Sequence, residues 1–357
     1  MRILIVRLGA FGDILHTLPM AADLAAAGHC VSWLCEDRWA SVLEGSPIIT
    51  TIHRLPRKLL RTGHLVARVQ ALAALSRELR VGAYDVVIDA QGLAKSAVAA
   101  WVSGAALRVG HDRPRAREGA WLVAHRRVPT TAVHVIDQQR DLGRALGTRP
   151  TTAWSFPLPA WGAERRWAAD WLAEVRLTRP WMLNVGAGWP SKVWPEERQI
   201  GFARAAAERG LPLVLVWGSP GERLVAERII DAADYGVLAP PTTLPQLAGL
   251  LAQAAVVVSG DTGPLHMALA VGVPAVGLFG PVPAERNGPR GWGYRTLQAP
   301  GAAWERHDVH KGAMEQISVA AVMEAATVAA AEGLTGATYA ELPAHGYGLR
   351  PAYAMPR

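Results

Sequence analysis

The chain has 357 residues, half of them hydrophobic, enough for two domains with full cores, so disordered and fibrous classes are excluded. Its apolar stretches fall short of the roughly 20 residues of a membrane helix, and the N-terminus lacks the pattern of a secretory signal. The formal net charge of +7 is uneven: residues 54–127 hold fourteen Lys and Arg against five acids, and the remainder is slightly acidic. A basic N-terminal half favours an anionic partner such as an acidic sugar, lipid phosphate, membrane surface or nucleic acid, unless it is only a solvated arginine-rich face. Cys30 and Cys35 sit in or beside one expected strand, cannot form a disulfide framework, and read as reduced cytosolic thiols.

Strand-like and helical runs alternate, the pattern of parallel α/β sheets. In the first half strands are expected over residues 2–7, 29–34, 51–55, 86–89 and 107–110, with helices after Asp13 and over 65–80. Residues 147–162, rich in Pro, Thr, Trp and Gly, form the expected linker. Strands resume over 181–185, 213–217, 236–238, 255–259 and 275–279, and a last helix is expected over 315–331. The boundaries predict one domain over 1–155, a second over 156–335, and a loose tail over 336–357.

Chemistry-bearing residues gather where strands end, the side on which open α/β sheets bind ligands. The first strand breaks into Gly9, Gly12 and Asp13, a glycine turn that lets a ligand approach and a carboxylate held by the first amides of a helix. A near-mirror of that layout recurs at Gly260-Asp261-Thr262-Gly263-Pro264-Leu265-His266, and two such sites suggest a cleft between similar domains. Thr262 and the following amides read as an anion site for a diphosphate, with His266 one turn in; Asp and Thr at helix starts also serve as plain caps. In the loop Gly186-Ala187-Gly188, glycines free the backbone, and Lys192 beyond it is either a cation for phosphate or a solvated loop lysine. Trp217 offers a face for a base and Glu222 an acceptor for ribose hydroxyls, although Glu222 also suits the first turn of a helix. The segment Asp89-Ala90-Gln91-Gly92-Leu93-Ala94-Lys95-Ser96 follows another strand, and residues 113–118 form a short basic loop. A Walker A lysine motif, a Gly-x-Gly-x-x-Gly fingerprint and zinc-ligand spacing are absent from the sequence, which disfavours a P-loop kinase and a dinucleotide oxidoreductase.

Taken together, the Gly-Asp start, the Asp-Ala-Gln-Gly-Leu-x-Lys-Ser segment and the Gly-Asp-Thr-Gly-x-x-His segment resemble those of the lipopolysaccharide heptosyltransferases, glycosyltransferase family 9, and most closely its type I members. The likeness covers about residues 1–330. It implies an α/β GT-B architecture, two Rossmann-like domains with parallel sheets facing across a cleft. It also implies inverting transfer of L-glycero-D-manno-heptose from ADP-heptose to Kdo of Kdo2-lipid A, with no cofactor and no essential metal. By position, the resemblance makes Asp13 the general base and Lys192 the cation facing the leaving ADP. It gives the diphosphate to Thr262 and Gly263, the ribose to Glu222 and the heptose to Asp261, and Gly186, Ala187, Gly188, Trp217 and His266 are expected to line the same nucleotide-sugar site. Gly9, Gly12, Arg57, Arg61, Gln91, Lys95 and Arg117 are expected to face the acidic glycolipid acceptor, the arginines on mobile loops. Where enteric type I enzymes have two hydroxyl residues, this chain has Ala187-Gly188, leaving backbone donors only. The expected place is cytoplasmic, peripheral on the inner membrane, with no nucleic-acid partner. The alternatives are a family 9 enzyme with another acceptor (heptosyltransferase II type, a protein or a secondary metabolite) and a non-catalytic nucleotide-sugar-binding protein.

Overall fold

The computed structural model describes residues 1–150, 153–291, 293–301 and 313–334, and the tail expected over 336–357 lies outside them. The chain divides into two compact units, Met1–Ala160 and Trp161–Arg357.

The first unit is a parallel sheet of β1 (Arg2–Val6), β2 (Cys30–Glu36), β3 (Ile49–Leu55), β4 (Val86–Asp89), β5 (Leu107–His111) and β6 (Arg126–Val128), in the order β3-β2-β1-β4-β5-β6. Its helices are α1 (Phe11–Ala26), α2 (Arg57–Thr62), α3 (Leu65–Val81), α4 (Ala94–Val102) and α5 (Val135–Arg144). Ile3, Leu4, Ile5 and Val6 are all fully buried, which is why β1 reads as an unbroken apolar run: a central parallel strand is covered on both faces. Beneath the sheet, Arg140 of α5 grips Asp23 of α1 through two bonds of 2.7 and 3.0 Å, so neither buried charge is left unpaired.

The second unit repeats the plan with β7 (Trp181–Asn184), β8 (Leu213–Val216), β9 (Val237–Leu238), β10 (Val256–Gly260), β11 (Ala275–Phe279) and β12 (Tyr294–Gln298), in the order β12-β11-β10-β7-β8-β9. Its helices are α6 (Gly162–Glu174), α7 (Glu196–Glu208), α8 (Pro220–Ala233), α9 (Leu244–Leu251), α10 (Gly263–Ala270), α11 (Ala284–Asn287) and α12 (Val319–Leu334). Trp181, Trp194, Phe202, Val256 and Val258 fill its core.

Both sheets share one topology. In each the strand order reverses between the first and fourth strands, with β1 parallel beside β4 and β7 parallel beside β10, and the C-terminal ends of those pairs are topological switch points, where nucleotide-type ligands bind in open α/β sheets. Neither β6 nor β12 carries a strong sequence signal: both are edge strands, and two of the three residues of β6 are exposed arginines. Helix α2 is likewise unforeseen, and it moves Arg57 and Arg61 from the expected loop onto a helix. Among the described residues no helix is long and apolar enough to cross a membrane.

Candidate active site

The first switch point is built around Asp13. Helix α1 begins directly after the glycine turn, so Asp13 falls in its first turn, where amides lack helical partners and favour a carboxylate. The Asp13 Oδ2 accepts from the Ala10 amide at 3.1 Å and pairs with Arg7 Nη2 at 2.8 Å. Arg7, almost wholly buried, also donates to the carbonyl of Ala90 and so ties the end of β1 to the segment after β4. Both contacts fall on one oxygen, and among the described residues Oδ1 makes no hydrogen bond. That is the geometry of an oriented base with one free lone-pair face.

Gln91 crosses the same seam, its Oε1 accepting from the Leu8 amide at 2.9 Å. Asp89, buried beneath it, accepts from the amides of Gln91 and Gly92 at 3.0 and 2.9 Å. Burial raises the Asp89 carboxyl above its ordinary range, opposed by those amide bonds. Gly92 must be glycine, because its φ is +70° and a Cβ would stand 3.2 Å from the backbone of Ala116. Its carbonyl accepts from the Arg117 amide at 2.8 Å, which fixes the basic loop while the Arg117 side chain stays exposed. Gly9 is equally constrained, since a Cβ there would lie 2.7 Å from Trp39 Nε1. Gly12, half-buried in the first turn of α1, sits directly before Asp13.

A residue not expected to matter organises the cations. Glu36, the buried last residue of β2, binds Arg38 Nε at 2.9 Å, Arg57 Nε at 3.2 Å and Lys95 Nζ at 3.3 Å. Arg57 and Lys95 are thus anchored through one carboxylate, while Arg61 is exposed. Asp37, Arg38, Arg57, Lys58, Arg61 and Thr62 line an open cavity of about 540 Å³.

At the second switch point, loops after β7, β8 and β10 converge on two carboxylates. Asp261 is buried; its Oδ2 receives Lys192 Nζ, its Oδ1 receives Asn287 Nδ2, and His266 Nε2 lies 3.3 Å from Oδ1. Burial by itself would raise the Asp261 carboxyl, but the bonds and charges of His266 and Lys192 hold it well below the usual carboxylate range. Lys192, on a short turn over Pro190–Lys192, also lies 5.4 Å from the centre of the Trp189 ring. The close approach of this turn explains Gly260, whose Cβ would sit 2.7 Å from the Lys192 carbonyl. Asn287, a residue without any sequence signal, keeps its Oδ1 buried and without a partner among the described residues.

Thr262 caps α10 by position, but its hydroxyl turns inward to Asn184 Nδ2 at 3.2 Å and Ser259 Oγ at 3.0 Å. The Thr262 hydroxyl is thus engaged within the fold, and Pro264 in the first turn of α10 carries no N–H, so the donors that this helix start can offer an anion are the remaining backbone amides such as that of Gly263. Asn184, also missed in the sequence, binds the carbonyl of Gly186 at 2.9 Å and Ser259 Oγ at 3.1 Å, joining the loops after β7 and β10. Glu222, in the first turn of α8, accepts from the Gly218 amide at 2.7 Å and packs on Gly186, where a Cβ would fall 2.0 Å from Glu222 Oε1. Trp217 is pinned by its ring N–H to the Ala239 carbonyl at 2.8 Å, and Ala187 and Gly188 are half-buried and exposed respectively.

The sequence profile described as glycosyltransferase family 9 (heptosyltransferase) matches residues 72–317. Lipopolysaccharide heptosyltransferase 1 of Pseudomonas aeruginosa is 32% identical over 292 residues, covering 79% of each chain. The enzyme of the same name from Escherichia coli K12 is 29% identical over 317 residues, covering 84% of this chain and 94% of its own. Among solved structures, E. coli heptosyltransferase WaaC with ADP-2-deoxy-2-fluoro heptose superposes with a TM-score of 0.73 at 27% identity, covering 91% of this chain and 98% of that one. With two parallel six-stranded sheets of Rossmann-like order and these matches over most of its length, the chain belongs to glycosyltransferase family 9, the heptosyltransferases, and has the GT-B fold.

Proposed function

We propose that this chain is a heptosyltransferase I, moving L-glycero-D-manno-heptose from ADP-heptose to Kdo of Kdo2-lipid A in the lipopolysaccharide inner core. Resemblance to relatives named lipopolysaccharide heptosyltransferase 1 supports the donor and acceptor classes. The observation that carries the reading is the pair of loaded switch points: an oriented carboxylate with a free oxygen in one unit, and a lysine beside a helix N-terminus in the other.

In this reading Asp13 Oδ1 takes the proton of the acceptor hydroxyl as its oxygen attacks the anomeric carbon of the heptose. The bond to the ADP oxygen breaks on the opposite face, so configuration inverts. Negative charge grows on the β-phosphate, and fixed donors reward that growth more than they reward the ground state. Lys192 and the amides at the start of α10 supply it. Lys192 is held by Asp261, so the diphosphate competes with a carboxylate for the ammonium. Glu222 receives ribose hydroxyls, Trp217 faces the base, and Asp261 with His266 faces the heptose. Gly9, Gly12, Gln91, Lys95, Arg57, Arg61 and Arg117 form the acceptor side, where the basic segment meets carboxylates and phosphates. The enzyme works at the cytoplasmic face of the inner membrane as a peripheral protein.

Mass spectrometry of the product tests this. Purified enzyme with ADP-heptose should add one heptosyl unit to Kdo2-lipid A, with release of ADP. Transfer to a heptosylated core or a protein instead, with Kdo2-lipid A left unchanged, would assign the chain to another acceptor.

A further inference from the structure

Helix α3 carries an apolar stripe of which the fold uses only half. In its C-terminal half Leu75 and Leu79 are buried with Leu4, Val6 and Val87. Toward the N-terminus Leu65, Val69 and Leu72 continue that face at helical spacing, with Val66 beside them, and no residue before Leu75 is buried. Leu65, Val66, Val69 and Leu72 are 72%, 68%, 57% and 48% exposed, and Leu59 of α2 is exposed too. Single exposed apolar residues are ordinary; a cluster within two successive helices marks an interaction surface.

Along the sequence the charges of this segment have one sign, although Arg54 and Arg57 are paired in space with Glu44 and Glu36 of neighbouring segments. Arg54, Arg57, Lys58, Arg61, Arg68 and Arg77 fall in a stretch, residues 54–77, without a single Asp or Glu. Lys58, Arg61 and Arg68 are exposed and make no ion pair among the described residues. The Arg57–Glu36 contact of 3.2 Å ties the start of α2 to the strand end beside the Asp13 turn, so this surface adjoins the acceptor side of the first unit.

We propose that α2 and the N-terminal half of α3 form a docking face for an anionic phospholipid bilayer. A bilayer matches both properties at once: negative headgroups meet the arginines, and the acyl boundary takes the leucines and valines of a helix lying in the plane. A second copy of this chain is disfavoured, because the same face would set like charges against each other. The purpose of docking rests on the reading of the acceptor as a membrane glycolipid, but binding to vesicles is measured without acceptor, so the two stand or fall separately.

The experiment mixes the full chain with vesicles of phosphatidylcholine, alone or with phosphatidylglycerol, and follows sedimentation. Binding is expected only with the anionic lipid and should be reversed by salt. The quadruple variant Leu65→Gln, Val66→Gln, Val69→Gln, Leu72→Gln should bind at least about tenfold more weakly, since it removes the apolar contribution. That variant should keep wild-type turnover on a deacylated, water-soluble acceptor while its KM for acylated acceptor in vesicles rises. As a second measurement free of any loss of folding, Cys30→Ser with Val69→Cys carrying an environment-sensitive fluorophore should shift to the blue on anionic vesicles. No vesicle binding, equal binding to neutral lipid, undiminished binding of the quadruple variant or an unshifted fluorophore would each overturn the proposal. A dimer that the quadruple variant disperses would overturn it as well, by assigning the face to a second copy.

Discussion

Gly186→Ala provides a narrow test of the nucleotide side, because it moves Glu222 without touching it chemically. Gly186 has no positive φ, so alanine is compatible with its backbone. The added Cβ, however, would fall 2.0 Å from Glu222 Oε1, 2.1 Å from Cδ and 2.5 Å from Cγ. These atoms are the outer part of a flexible side chain on the surface of α8, so the protein yields by swinging the carboxylate away, at little cost in stability. What it loses is the 2.7 Å bond to the Gly218 amide that fixes the carboxylate, and with it the placement toward ribose proposed above. A hydrogen bond to a charged group is worth about 1.5 to 3 kcal/mol, roughly a tenfold to hundredfold change in affinity. Steady-state kinetics should therefore show KM for ADP-heptose raised by roughly that factor, acceptor KM unchanged and thermal midpoint within a few degrees of wild type. Glu222→Ala should have a similar effect, and the double variant should be no worse than either single one, as expected of residues acting through one contact. Additive losses, or an unchanged donor KM in Gly186→Ala, would refute the role given to Glu222.

With Lys192 facing the leaving diphosphate as proposed, Lys192→Ala should lower kcat more than it weakens ADP binding, because that charge grows in the transition state; equal losses in ADP affinity and kcat, by titration and turnover, would make it a ground-state contact. Burial, followed by the charges of Arg7 and Arg115, pushes the His111 imidazole down to about 4. The unfolded imidazole titrates near about 6.5, so its contribution to stability is complete above that pH and declines as pH falls toward about 4. Melting curves across that window should fall less steeply for His111→Gln than for wild type, and identical slopes would contradict this. Burial also pushes the Cys35 thiol up to about 12, while Cys30 is exposed. A thiol reagent should thus label Cys30 rapidly and Cys35 only on unfolding; two fast thiols would contradict the buried position.

The sheets were largely legible because central parallel strands are covered on both faces, and runs such as residues 3–6 and 256–258 leave the period of an exposed strand behind. The loops were legible for a related reason: glycines with carboxylates or lysines directly after such runs stand at strand ends, where the fold puts ligands. Edge strands escaped, since β6 is short and two of its residues face solvent. Among site residues, Asn184 and Asn287 escaped because their roles are long-range contacts, to Thr262 and Asp261, that no periodicity encodes. Glu36 did leave a trace: a carboxylate closing an apolar strand, Leu34-Cys35-Glu36, like Asp89 at the end of β4. Gly186 illustrates the limit from the other side. It reads as a glycine freed for a ligand, whereas the structure shows it crowded by Glu222.

The central claim is a division of labour, with Asp13 of the first unit needed for the chemical step and the second unit holding the donor. The most direct measurement is the Asp13→Ala variant studied twice, by turnover with saturating acceptor and by calorimetric titration with ADP-heptose. Removing a general base costs ~10²- to 10⁴-fold, so kcat should fall by that amount while donor affinity stays at the wild-type value. A variant that retained wild-type kcat, or that lost donor binding along with turnover, would contradict the account.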